Sequence, residues 1–227
     1  MTITTTKLTR AAGLAAVAGG LLFIAVQFKH PHLDATFTTT TEYAVRETMK
    51  ILMAVLSVIG ITGIYLRQVR QTGVVGLLGY LLFGAGYLAI MSIQVVGLVV
   101  LPGLADSAPG YVNDVLAVAT GGTPSGDIGA LAAFIRIGGF TFLTGGVVFG
   151  IALFRANILP RWAAALLSVG AVATLAASQL PQLTQRLFAI PVGVALIGLG
   201  YSLWREQRTR RPLPSAVSSQ LDPAGTK

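Results

Sequence analysis

The stretch "GVVGLLGYLLFGAGYLAIMSIQVVGLVVL", residues 73–101, runs for 29 residues without one Asp, Glu, Lys, Arg or His. A helix rises about 1.5 Å per residue, so about 20 residues already cross the roughly 30 Å hydrocarbon core of a bilayer. This stretch therefore reads as a membrane-spanning helix with length to spare for tilt or protrusion. A β-barrel strand would alternate apolar and polar positions, and these residues do not alternate. Backbone groups cannot stay unpaired in lipid, so the helix is the form that remains.

Five more apolar segments lie on either side, at 11–28, 47–66, 132–154, 162–179 and 187–204. The expected fold is all-α, a polytopic membrane bundle of six helices forming one domain over 1–204. A polar tail follows over 205–227. Of the 227 residues, 54% are hydrophobic and 11% charged. A soluble domain carries about 25% charged residues. The mean hydropathy is +0.75.

The loops carry the orientation. Lys7 and Arg10 precede the first segment, and Arg67 and Arg70 join the second to the third. Arg155 and Arg161 join the fourth to the fifth, and Arg205, Arg208, Arg210 and Arg211 follow the sixth. The long loop at 102–129 holds Asp106, Asp114 and Asp127 and no Lys or Arg. Basic loops stay on the cytoplasmic side, so both termini are expected there. The same distribution explains the net charge of +8 without a nucleic-acid partner. The first segment has a basic start, but no small-x-small cleavage pattern follows its end at "AVQFKHPH", so it is expected to remain as an anchor.

The tail, "REQRTRRPLPSAVSSQLDPAGTK", turns Pro- and Ser-rich and is expected to be disordered. Its leading Arg205, Arg208, Arg210 and Arg211 form an orientation signal that anionic lipid would attract. Residues 108–120, "APGYVNDVLAVAT", suit a short interfacial helix with Tyr111, Val115, Leu116 and Val118 on one apolar face. It reads as a packed connection, with a lid over an outer pocket as the alternative.

The absence of cysteine excludes disulfides, thiolate metal sites and dithiol redox chemistry. No glycine-rich stretch carries a phosphate-loop ending, and no cofactor motif is present. The 27 glycines have a different use. "GVVFG" at 146–150, Ala16 with Gly20, and Gly76, Gly79, Gly84 and Gly86 are small-residue patterns that let helices approach closely in lipid. They are expected to pack helices within one bundle, with a homo-oligomer interface as the alternative.

Residues 28–50, "FKHPHLDATFTTTTEYAVRETMK", are the polar exception among the apolar segments. Thr39 and Glu42 have the T-x-x-E spacing of a capping box, so the second long helix should start near residue 40. Glu42 with Arg46 and Glu47 with Lys50 then stand at i,i+4 and i,i+3. If the span began after Lys50, too few residues would remain to cross, so Glu47 and Lys50 reach the edge of the hydrocarbon. Arg136 in "AAFIRIGGF", Gln94 and Gln27 fall at a similar depth. Gln27, Glu47, Lys50, Gln94 and Arg136 thus form a candidate outer-leaflet polar cluster, with Glu47 the carboxylate best placed for Arg136. The bland reading of that pair is an interhelical tie, or an Arg136 that snorkels. His30 and His32 are a weak metal pair, two ligands on one loop without a third.

The runs "GIALFRANILPRWAAALLSVGAV" and "AIPVGVALIGLGYSLWR" resemble stretches of uncharacterised multi-pass membrane proteins of actinobacteria. The resemblance covers mainly the last third of the chain. It implies about six helices in a plasma membrane and brings no functional residues with it.

Three function classes follow. The first is a non-enzymatic accessory or partner-binding membrane protein, which the lack of a catalytic constellation favours. The second is a small transporter subunit, which the uncharged cores of four segments count against. The third is an intramembrane enzyme or binder of a lipid-like ligand at the outer cluster.

Overall fold

The computed structural model describes residues 4–28, 33–176 and 187–209. Among them every regular element is helical. The long helices are α1 (Thr5–Ala25), α3 (Thr41–Arg67), α4 (Val69–Val99), α7 (Ala130–Ala156), α8 (Arg161–Ala176) and α9 (Ile190–Thr209). Short helices α2 (Ala35–Thr38), α5 (Leu101–Leu104) and α6 (Pro109–Ala119) lie in the connections. Four helices, α1, α3, α4 and α7, are long and apolar enough to cross a membrane. Over Arg161–Thr174, α8 is apolar but shorter.

Local chemistry sets the ends of these helices. The Thr4 hydroxyl accepts from Lys7 N at 3.3 Å and caps α1. The cap of α3 is Thr40, whose hydroxyl accepts from Tyr43 N at 3.2 Å. This corrects the expected Thr39, which instead ends α2 and donates to Thr36 O at 2.8 Å. Gly73 interrupts the start of α4 with φ 58° and ψ −153°, a conformation that a side chain would strain. Asn157 ends α7 in the left-handed region, φ 53°, where Asn is tolerated.

Helix bounds differ modestly from the apolar segments. Polar first turns extend α1 back to Thr5 and α3 back to Thr41, because a capped helix starts before its apolar run. At the other end α9 continues to Thr209, so Arg205 stands on a helix and not in a tail. The expectation of disorder concerns residues 210–227, which lie outside the described residues, as do Arg210 and Arg211.

The long helices close a ring. α1 lies against α3 and α9, α3 against α4, α4 against α7, α7 against α8, and α8 against α9. Aromatic rings fill the middle. Phe83 and Phe142 stand 5.1 Å apart, and Tyr87 meets Phe142 edge-on at 4.9 Å. Glycines bring the backbones together. A Cβ on Gly79 would lie 2.5 Å from Phe149 N, and one on Gly20 would lie 2.6 Å from Gly193 O. Gly150 of "GVVFG" faces Ser168 and Ala164 of α8. Such approach maximises packing where lipid provides no hydrophobic drive.

The α6 helix caps one end of the ring. Its buried residues are Val112, Val115, Leu116 and Val118, packed with Tyr43, Leu101 and Ile135. Tyr111, expected on this face, is exposed, because α6 starts at Pro109 and turns Val112 inward in its place. Asn113 Oδ1 accepts from Ala35 N at 2.8 Å, and the Asp114 carboxylate accepts from Ser125 N and Gly126 N. At the opposite end Arg67 pairs with Glu206 through two hydrogen bonds, joining α3 to α9.

Candidate functional site

From Thr40, α3 turns Tyr43 and Glu47 inward, one helical turn apart on its buried face. Glu47 is 4% exposed. Its Oε1 accepts from Lys50 Nζ at 2.6 Å, the i,i+3 pair expected from spacing. Its Oε2 is buried and has no hydrogen-bond partner. Such an atom is rare in a folded protein, because an unsatisfied buried acceptor is costly. Opposite stands Gly97 of α4, where a Cβ would lie 2.9 Å from Tyr43 OH and 3.5 Å from Glu47 Oε2. Gly97 therefore leaves room for both polar tips.

Glu47 lines a cavity of about 490 Å³ inside the capped end of the ring. That size lies within the roughly 300–1,000 Å³ typical of small-molecule sites. Five of the long helices contribute walls, and Ala189 adds one just before the sixth, α9. Polar residues gather toward the capped end: Gln27, Tyr43, Glu47, Lys50 and Gln94. Positions further along the helices are apolar: Phe23, Met53, Ile90 and Leu143. Leu116 and Val115 of α6 line its capped side. Gln68 also buries polar side-chain atoms without a partner. Gln68 does not line the cavity, whereas Glu47 does.

Four of the five residues expected in the outer cluster, Gln27, Glu47, Lys50 and Gln94, thus line one cavity. Arg136 does not join them. It is exposed on α7, one position from the buried Ile135, in a row with exposed Ile137 and Phe140. Glu47 gives one oxygen to Lys50 and the other to no partner, so the expected Glu47–Arg136 pair does not form. Arg136 lies six residues into α7, about 9 Å of rise, within reach of the interface for an arginine that snorkels.

Two contributors were not read as site residues from the sequence, Tyr43 and Gly97. Tyr43 carried a signal, since it stands at i,i+4 from Glu47 and shares its face. Gly97 stands one turn beyond Gln94 in a run crowded with glycines, where nothing singles it out. His30 and His32 lie outside the described residues. Among the described residues no three His, Cys, Asp or Glu side chains converge as a metal site.

Chemically, the cavity pairs an apolar interior with one ion pair and two amides at its capped end. Lys50 Nζ has donors beyond the one given to Glu47 Oε1. No serine, threonine or cysteine nucleophile is paired with a base there. Comparison with protein-family models, with curated proteins and with solved structures finds no match for this chain.

Proposed function

We propose that the chain is an integral membrane protein that holds a small amphipathic, lipid-like molecule in the cavity at its capped end without converting it. The observation that carries this reading is the cavity itself, about 490 Å³ at the capped end of the ring, lined by the Glu47–Lys50 pair and the Gln27 and Gln94 amides beside apolar Phe23, Met53, Ile90 and Leu143. The same cavity distinguishes this reading from a purely accessory protein, for which a filled bundle interior would be the simpler build.

The wider setting belongs to the same proposal. Six spans are supported by four long apolar helices and by two further helices that complete the ring. The loop arginines support cytoplasmic termini and put the cavity in the outer half of the bilayer. A plasma membrane is the compartment the resemblance implies. Arg205, exposed near the end of α9, and the later Arg208, Arg210 and Arg211 are positioned in sequence to meet anionic lipid.

Native mass spectrometry of the protein extracted in mild detergent tests the central reading. The expected result is a retained small-molecule mass that is lost in Gln94→Leu and Glu47→Gln. A bare chain, or a stable protein partner with no small molecule, would overturn it in favour of the accessory reading.

A further inference from the structure

The cavity presents the two partners of its ion pair unequally. The Lys50 side chain is 20% exposed and the Glu47 side chain 5%. One Glu47 oxygen accepts from Lys50 Nζ at 2.6 Å, and the other is buried out of reach. The carboxylate thus stands behind the ammonium and holds it in place. Among the described residues no further charged side chain lines the cavity, so the charge it offers an entering molecule is positive. Resting on the ligand-binding reading above, we infer that the guest is a single-chain carboxylate, its oxygens held at Lys50 and its alkyl chain laid along the apolar positions.

An ammonium has three N–H donors and no acceptor, and Glu47 takes one of the three. Gln27 and Gln94, half-buried at the same end, each add an amide NH₂. A carboxylate brings two oxygens to this donor set, and hydrogen bonds between ionised groups are about twice as strong as neutral ones. Its charge stays beside Lys50, where that side chain is still partly exposed, and only the chain passes on to Phe23, Met53, Ile90 and Leu143. An amine would meet the ammonium first, with the Glu47 carboxylate out of reach behind it. An alcohol would accept from the same donors without the attraction of opposite charges. A phosphate monoester carries close to two negative charges, more than one ammonium already paired with Glu47 can answer.

The test uses the whole chain in nanodiscs of zwitterionic lipid and four radiolabelled probes of one chain length: dodecanoate, dodecyl phosphate, dodecanol and dodecylamine. The pH is held above the carboxyl range and below the amine range, so that both groups are ionised. Empty nanodiscs correct for partition into lipid. The wild type should bind dodecanoate about tenfold or more tighter than any of the other three. Lys50→Arg keeps the positive charge and should keep that preference. Lys50→Gln combined with Glu47→Gln removes both charges at once, so no unpaired carboxylate is left in the bundle to unfold it. This double variant should bring dodecanoate down to the level of dodecanol. A carboxylate preference that survives the double variant would overturn the assignment to Lys50. Wild-type preference for the alcohol, the amine or the phosphate would overturn the head-group inference while leaving the cavity as a binding site. Binding of none of the four above empty discs would overturn the binding reading itself.

Discussion

Glu47 and Arg136 show what a residue's position along a helix reveals and what it hides. Depth can be read from sequence, because about 1.5 Å per residue converts a count into a height in the membrane. The short run left after Lys50 therefore marked Glu47 and Lys50 as near the hydrocarbon edge, and both line the cavity. The direction around the helix is a separate quantity, and a one-residue step turns it by about 100°. Ile135 and Gly138 face the bundle while Arg136, between them, faces out. The depth reading for Arg136 used the height and lacked the angle. A double-mutant cycle separates the two pairings. Glu47→Ala and Lys50→Ala should be coupled, by about 0.5–3 kcal/mol in detergent unfolding. Glu47→Ala and Arg136→Ala should add to within about 0.3–0.5 kcal/mol. Coupling of the second pair at the level of the first would show that Arg136 reaches the carboxylate after all.

At the scale of the element, the glycines of α4 were legible as packing residues but not as individual contacts. Small residues spaced along an apolar run announce close helix approach without saying which of them make it. Gly79 and Gly86 lie against the α7 backbone at Phe149 and Phe142, whereas a Cβ on Gly84 would come no closer than 4.0 Å to Ile61. The two kinds of glycine should respond with opposite sign to the same change. Gly79→Ala places a methyl group 2.5 Å from Phe149 N and should cost about 1–3 kcal/mol, because the α4–α7 seam must open. Gly84→Ala meets no such barrier and should gain up to about 1 kcal/mol through helix propensity. Thermal unfolding of both variants in one detergent checks the sign. Equal destabilisation would mean that α4 lies closer to α3 at Gly84 than the Ile61 distance allows. A similar local argument explains the α6 correction. There the depth and the helix were read but the rotation was not, and Val112 packs inward where the expected face held Tyr111.

At the scale of the whole molecule, the ring and the loop charges meet in one geometrical claim. On the proposed orientation the capped end, with α6 and the polar side of the cavity, lies outside the cell, and the Arg67–Glu206 end lies inside. The all-helical character was plain from uncharged runs such as 73–101, since lipid leaves the backbone few options. The closure of α9 onto α1 was not, because contacts between the two ends of a chain leave no trace in local periodicity. Orientation can be tested with little background, since the chain has no cysteine. Asp106, exposed beyond α5, and Gln71, exposed at the start of α4, offer single cysteine sites at opposite ends of the same long helix. In intact cells a membrane-impermeant maleimide should label Asp106→Cys at once and Gln71→Cys only after permeabilisation. The reverse pattern would invert the protein in the membrane and move the cavity to the cytoplasmic leaflet. Labelling of both sites from outside would mean that α4 does not cross, and the six-span ring would fail with it. The result bears on ligand access as well as topology. On the proposed orientation and binding reading, a probe supplied to the outer side should reach the cavity without crossing the bilayer.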